Sequence, residues 1–258
     1  MEVQLVAAGK GWQWIVDGYA LFRRSPAMWL ALTVLLGVIW LGTMIIPVLG
    51  PLLFNLFSPA LFAGLMIGCR AIENGEKLEI RHLFAGFKER IAPLVTVGGV
   101  HLIGTIIVVG TVLIAGGGSK LPAVLSNPGA DVETLRAALR SMAFALAVGA
   151  AIYLPLIMLI WFAPLLVVFD NLTPVAAMKL SFTACLKNTL PFTVYGLAIM
   201  GLWFVLSLPA AKGPAGALLV IALRVASIPV LVCSIYLSYK DVFIARSTPA
   251  AGGNPFPR

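Results

Sequence analysis

The sequence predicts an all-α integral membrane protein with six transmembrane helices, and its composition is the first observation that points to this fold. Of the 258 residues, 60% are hydrophobic and only 11% are charged, whereas soluble proteins carry about 25% charged residues. The second observation is that the charged residues leave six apolar intervals, each long enough to cross the ~30 Å hydrocarbon core of a bilayer. The third is an amphipathic pattern that recurs three times before these intervals. An ordinary soluble domain and a disordered chain are both excluded.

The first two predicted spans share one long uncharged interval. No Asp, Glu, Lys or Arg occurs between Pro26 and Arg70, and Gly50-Pro51 divides this interval into two stretches of about 20 residues, the length that crosses a bilayer. Four further apolar intervals follow. The predicted spans are 27–49, 51–71, 91–115, 141–169, 191–211 and 216–238. Small residues in the third span favour close contact between helices: Gly98, Gly99, Gly104 and Gly110.

The basic residues predict the orientation. Thirteen Lys and Arg residues fall at the N terminus, in the second and fourth loops and at the C terminus, while four fall in the other loops. By the positive-inside rule, both termini are then cytoplasmic. Residues 1–10 contain no short apolar region with a small-residue cleavage site, so we expect the first span to be an uncleaved anchor. Residues 247–258 are rich in Pro and Gly and are expected to form a disordered cytoplasmic tail.

An amphipathic segment precedes the first, third and fifth spans. In each, apolar residues recur at helical spacing, and a basic residue and a proline then lead into the span. An apolar stripe with basic flanks is typical of a helix that lies in the membrane interface. The sequence therefore predicts three repeats, each an interfacial helix, at about 10–24, 79–90 and 173–187, followed by a two-helix hairpin. The alternative is that cytoplasmic loops of any membrane protein have this pattern.

The third loop, over 116–140, is predicted to lie on the outer side. It contains several turn-forming residues, among them Asn127-Pro128-Gly129. Asp131 is expected to cap a helix that runs through Leu135 and Leu139 into the fourth span.

Three polar residues inside spans are candidates for an intramembrane site. Arg224 lies near the middle of the sixth span, and no predicted span contains an acidic residue to pair with it. A charge at that depth costs about 2.5–3.5 kcal/mol, so it indicates a functional site. The structural alternative is that Arg224 reaches the outer interface or bonds carbonyls freed by Pro209 or Pro229. His101 could relay protons or bind a substrate, or it could join neighbouring helices, as we expect for Asn55.

A second set of candidates is predicted to contact lipid headgroups. Aromatic rings and basic groups near the start of the spans suit this role, since anionic lipid attracts each base by about 1 kcal/mol. The set comprises Trp12, Trp14, Phe22, Arg23, Arg24, Phe84, Phe87, Lys88, Arg90, Phe182 and Lys187. The expected partners are lipids of the anionic cytoplasmic leaflet. A protein partner or a homo-oligomer is left open, and no nucleic acid is expected.

The sequence shows no catalytic, cofactor or metal motif. It has no HExxH motif, no phosphate-binding glycine loop and no Ser/His/Asp set, and His82 and His101 are its only histidines. We therefore predict a non-enzymatic, lipid- or partner-binding membrane module without a cofactor, involved in membrane organisation or homeostasis. The alternative is a small transporter or channel that uses Arg224 and His101 in a polar cavity. Ion pathways usually contain an acidic residue inside a span, and this sequence has none.

Several residues also carry a family resemblance. The plan of amphipathic helix plus hairpin, together with residues 161–168, Ser181, Asn188 and Pro191-Phe192, resembles a family of bacterial six-span inner-membrane proteins. These are akin to YciC-like proteins and to the membrane domain attached to some glycerophosphodiester phosphodiesterases. The resemblance implies a membrane module of the bacterial inner membrane whose catalytic domain, where one exists, is a separate soluble unit. It supplies no catalytic residue.

Overall fold

The computed structural model describes residues 2–116 and 131–244, and all regular secondary structure in these residues is helical. Six helices are long and apolar enough to cross a membrane: Pro26–Thr43, Leu49–Glu73, Ile91–Ile114, Val132–Phe169, Thr189–Ala210 and Pro214–Phe243. The prediction of an all-α protein with six helices of spanning length is confirmed. Residues 117–130 of the predicted outer loop and the predicted tail at 247–258 lie outside the described residues.

The α-helices are numbered in chain order. They are α1 (Lys10–Phe22), α2 (Pro26–Thr43), α3 (Leu49–Glu73), α4 (Ala85–Glu89), α5 (Ile91–Ile114), α6 (Val132–Ile160), α7 (Ala163–Phe169), α8 (Pro174–Lys187), α9 (Thr189–Ser207) and α10 (Pro214–Phe243). Two 3-10 turns accompany them, Ile80–Phe84 before α4 and Leu208–Lys212 after α9.

Two span boundaries differ from the predicted ones by more than five residues. α2 ends at Thr43 rather than near residue 49, because Pro47 cannot continue a helix and the chain turns there into α3. The fourth span begins at Val132 rather than near residue 141. Its start is fixed by Asp131, whose side chain accepts a 2.8 Å hydrogen bond from the backbone N–H of Thr134. The predicted cap at Asp131 is thereby confirmed.

The described helices form two compact units, and the first comprises the described residues within 1–29 and 187–258. In this unit α1 lies between α9 and α10. Gly18 lies so close to α10 that a Cβ there would stand 2.8 Å from the backbone N of Ser234, and Gly11 faces the backbone of α9 in the same way. Trp14 and Ile15 between these glycines are buried. α1 is therefore packed against α9 at one position and against α10 at another.

The second unit comprises residues 30–186, and its main helices also meet through glycines. Gly98 of α5 faces the backbone carbonyl of Leu56 in α3, and Gly104 of α5 faces the side chain of Leu156 in α6. The predicted close contact is confirmed at these two positions. At Gly110 no described residue of another helix lies within 4 Å of where a Cβ would stand, so in the described part of the chain it is not a contact glycine.

The segment between α3 and α5 lies directly against α3. It was predicted as one interfacial helix over 79–90, and it is instead the 3-10 turn followed by α4. Gly64 of α3 faces the carbonyl of Leu83, and Gly86 of α4 faces the carbonyl of Ala60. Because the backbone touches α3 at both glycines, the segment bends into two short pieces.

The fourth span is broken between α6 and α7, and α8 closes the break. The hydroxyl of Ser181 in α8 donates a 2.7 Å hydrogen bond to the carbonyl of Met158 and accepts a 3.0 Å bond from the N–H of Phe162. Pro164 in the first turn of α7 fits a helix start, where no N–H is needed. Ser181 is fully buried, so it supplies partners that water cannot reach.

Replacing Ser181 with alanine is expected to lower the unfolding free energy by about 2 kcal/mol, because it removes two hydrogen bonds of a buried hydroxyl. Chemical unfolding of the detergent-solubilised protein measures this change. Thr183 is the matched control, since its hydroxyl is exposed and bonds only within α8. Thr183→Ala should stay within about 0.5 kcal/mol of wild type. Equal losses for both variants would refute the role of Ser181.

Candidate membrane-interface site

α1 is apolar on two faces, and only one of them is available to lipid. The exposed face carries Trp12 and Tyr19, which are 57% and 52% exposed, and the guanidinium of Arg23 lies 5.9 Å from the Tyr19 ring centre. Trp14 points the opposite way and is 1% exposed. This corrects the prediction for Trp14, which is a core residue. The periodicity did not separate the two faces because apolar residues occur on both.

Trp14 belongs to a polar cluster at the ends of α1 and α10. Its indole N–H donates a 3.0 Å hydrogen bond to the Asp241 carboxylate, which also lies 3.3 Å from the ammonium group of Lys10. Its ring lies 5.3 Å from that of Phe192 and 5.9 Å from that of Tyr195. The sequence pattern does not identify Asp241 as part of this cluster. The available signal was that it is the only acidic residue after Asp170.

The first residues of the chain are bound to the same end of this unit. The Asn188 amide donates to the carbonyl of Gln4 over 3.0 Å and accepts from the N–H of Val6 over 2.8 Å. The N–H of Gln4 also donates to the carbonyl of Val242. Asn188 is 1% exposed, so it serves as a structural clamp for the N-terminal segment.

The other aromatic and basic candidates of the first segment lie at the surface or at its edge. Phe22 is half-buried, with its ring 6.2 Å from that of Tyr19. Arg23 and Arg24 are exposed. Together with Trp12 and Tyr19, they form an exposed strip of aromatic and basic groups.

The second segment presents fewer surface residues than predicted. Phe84 is 40% exposed and Lys88 is exposed. Phe87 is half-buried, with its ring 5.9 Å from that of Phe57 in α3. Arg90 donates a 2.6 Å hydrogen bond to the side chain of Asn171 and is partly withdrawn from the surface.

In the third segment, α8, the predicted lipid contacts are divided between the surface and the interior. Lys187 and the neighbouring Leu186 are exposed, while Phe182 is half-buried. Cys185 is buried, and burial raises the pKa of its thiol to about 12 against an opposing hydrogen bond with Ser181.

Cys185 is accordingly expected to resist alkylation in the folded protein. A pKa raised by folding keeps the thiol protonated at every pH below it, and the thiolate is the reactive form. N-ethylmaleimide at about pH 8 should therefore leave Cys185 unmodified, whereas in the SDS-denatured chain, where the thiol returns to a pKa near 8.5, it should react readily. Peptide mass spectrometry measures both, and equal modification of the two states would contradict this placement.

The three intramembrane candidates divide between the units. Arg224 of α10 donates a 2.7 Å hydrogen bond to the hydroxyl of Ser207, the last residue of α9, and its guanidinium lies 5.8 Å from the Trp203 ring centre. Asn55 and His101 lie in the other unit, on α3 and α5. The side-chain oxygen of Asn55 is buried and has no hydrogen-bond partner among the described residues.

Comparison with known proteins places the chain among bacterial membrane proteins. It is 32% identical to a probable inner membrane protein of Burkholderia thailandensis, and the match covers 94% of each chain. The chain belongs to the family of this protein. With its six spanning helices, this family member is a multi-pass inner membrane protein, as predicted. No family model and no solved structure matches the chain, so the likeness to YciC-like proteins stays a prediction.

Proposed function

We propose that the protein is a non-enzymatic membrane module that binds anionic phospholipid at the cytoplasmic leaflet. One observation carries this proposal: each of the three amphipathic segments holds one face against protein and keeps an exposed apolar side chain beside an exposed base. These pairs are Tyr19 with Arg23, Phe84 with Lys88, and Leu186 with Lys187. Because the buried faces fix the segments, the exposed pairs are preorganised for a headgroup and its acyl chain.

The three segments also support the proposed repeat. Each one contacts the second helix of a hairpin beside an internal proline. Gly86 touches Ala60 after Pro59, Ser181 bonds Phe162 before Pro164, and Gly18 touches Val230 after Pro229. The second and third segments each contact the hairpin that precedes them in the chain. The first segment, which has no hairpin before it, contacts the last one. If the amphipathic pattern were only a general feature of cytoplasmic loops, contact with the second helix of a hairpin beside its proline would not be expected three times.

Retention of phosphatidylglycerol, measured by native mass spectrometry on the full chain, tests the proposal. The variant Arg23→Gln/Lys187→Gln should bind this lipid about 30-fold more weakly, since each base near the surface contributes about 1 kcal/mol. Arg136→Gln/Arg140→Gln removes the same charge from the start of the fourth span and should bind as wild type does. Equal loss in both variants, or no loss in either, would refute specific binding at the segments.

The cytoplasmic placement has its own test. A reporter fused after Ile80 should report a cytoplasmic location, because this segment carries the largest group of bases in the predicted topology. A periplasmic signal would overturn the orientation and place the proposed lipid contacts on the other leaflet.

A transporter using Arg224 and His101 remains the second candidate. It requires the guanidinium of Arg224 to face a polar cavity. The hydrogen bond to Ser207 at the end of α9 instead supports the structural alternative, in which Arg224 reaches toward the hairpin end. The membrane-module proposal is therefore the better supported of the two.

A further inference from the structure

The position of Arg224 in α10 determines how deep its guanidinium lies in the membrane. Arg224 lies ten residues after the start of α10 at Pro214, which is about 15 Å along the helix. Its side chain follows the Cα–Cβ direction toward the helix N terminus and reaches Ser207, where α9 ends. The charged group therefore lies near the α9–α10 turn, closer to the membrane surface than its own Cα.

Among the described residues, most of the hydrogen-bonding capacity of the Arg224 side chain is unused. A guanidinium has five N–H donors, and Ser207 takes one of them. The hydroxyl hydrogen of Ser207 goes to the carbonyl of Trp203 over 2.6 Å, so this serine acts toward Arg224 only as an acceptor. Within residues 2–116 and 131–244 no salt bridge to Arg224 is present. α9 contains no acidic residue, and Asp241 of α10 is about 25 Å further along the helix.

In the apolar part of a bilayer these donors need an acceptor beyond the described residues. An unsatisfied N–H in an apolar environment costs several kcal/mol. The planar fork of an arginine matches the oxygens of a phosphate bidentately, which a single hydroxyl does not. The indole of Trp203, 5.8 Å from the guanidinium, is the side chain typical of the headgroup level of a membrane.

The surroundings of Arg224 favour a lipid over a free anion. Exposed apolar side chains stand one helical turn before each of the two bonded residues: Phe204 is three positions before Ser207, and Ile221 is three positions before Arg224. Acyl chains of a lipid can contact these side chains while its headgroup binds the charge. A free phosphate would instead lose its hydration water in this apolar environment. We propose that Arg224, Ser207 and Trp203 form a binding site for the phosphodiester of a phospholipid in the leaflet at the α9–α10 turn. This site is separate from the amphipathic segments of the proposed function.

The test uses the full chain in detergent with both Arg23→Gln and Lys187→Gln present, so that binding at the amphipathic segments does not mask this site. Phosphatidylglycerol should raise the unfolding temperature and remain bound in native mass spectra. Diacylglycerol with the same acyl chains should do neither, because it lacks the phosphate. Adding Arg224→Gln should weaken phosphatidylglycerol binding at least about tenfold, and Arg224→Lys should give an intermediate value.

Three results would overturn the site: equal phosphatidylglycerol affinity with and without Arg224, equal binding of diacylglycerol, or displacement of the lipid by inorganic phosphate. Arg224→Gln is expected to fold, because a neutral side chain costs less to insert than a charged one. Should it fail to fold, Ser207→Ala, which keeps the charge and frees the guanidinium, should weaken lipid binding several-fold. Unchanged binding in Ser207→Ala would then reject the proposed geometry. Failure here leaves the proposed function intact, since the segment variants are assayed separately.

Discussion

Gly98→Ala is expected to lower the unfolding free energy by about 3 kcal/mol. The new Cβ would lie far inside van der Waals contact with the backbone carbonyl of Leu56. A backbone atom cannot rotate away as a side chain can, so α3 and α5 have to separate, which costs typically 1–3 kcal/mol and sometimes more. Unfolding by SDS or urea in mixed micelles, followed by circular dichroism, measures the loss.

Gly110→Ala in the same helix is the matched control. No neighbour among the described residues of other helices lies within 4 Å of its new Cβ, and alanine is about 1 kcal/mol better than glycine inside a helix. This variant should therefore be as stable as wild type or more stable. The two substitutions are chemically identical and differ only in their surroundings. Similar behaviour of both variants would mean that α3 and α5 do not meet at Gly98.

Gly98 and Gly110 differ in whether they contact a neighbouring helix, and the sequence does not determine this difference. Gly98, Gly104 and Gly110 all belong to one apolar span, and their small size alone indicates close helix contact. Which of them touches a neighbour depends on how α5 is rotated against α3 and α6. That rotation is set by many contacts distant in sequence, so periodicity within one span does not determine it.

The number of spans was predictable for a different reason. A charged residue inside the hydrocarbon core is so costly that the positions of the 28 charged residues nearly determine where the spans begin and end. Boundaries set by local chemistry, such as the cap at Asp131, were predictable too. The end of α2 is set by Pro47, which is also local chemistry. The shape of the 79–90 segment depends on contact with α3 and was not predictable.

The types of residue in the candidate site were predictable from the sequence, but the placement of each individual residue was less so. Basic and aromatic groups at the span ends identified the surface residues Trp12, Arg23 and Lys187. Trp14 was misplaced, since a tryptophan near a span end is equally suited to the interface and to a core with a hydrogen-bond acceptor. Its acceptor, Asp241, is 227 residues away in the sequence, and nothing local to either residue connects them.

Asp241→Ala is expected to lower the unfolding free energy by about 3 kcal/mol. It removes the acceptor of the buried Trp14 indole and the ion partner of Lys10 at once. Breaking a buried pair costs about 3–5 kcal/mol, and the value here lies at the low end because Lys10 is 31% exposed. Asp241→Asn retains an acceptor for the indole and should lose less. Chemical unfolding in detergent gives the order of the variants.

Glu133→Ala provides the control for the loss of a carboxylate. Glu133 pairs with Arg136 over 3.2 Å, but its side chain is 68% exposed. Exposed pairs contribute about 0–1 kcal/mol, so this variant should remain within that range of wild type. A loss for Asp241→Ala no larger than that of Glu133→Ala would show that α1 is not fastened to α10 by this cluster. A larger loss of unfolding free energy for Asp241→Ala than for Glu133→Ala would show that α1 is a fixed part of the fold. Its exposed face is then preorganised for contact with the membrane.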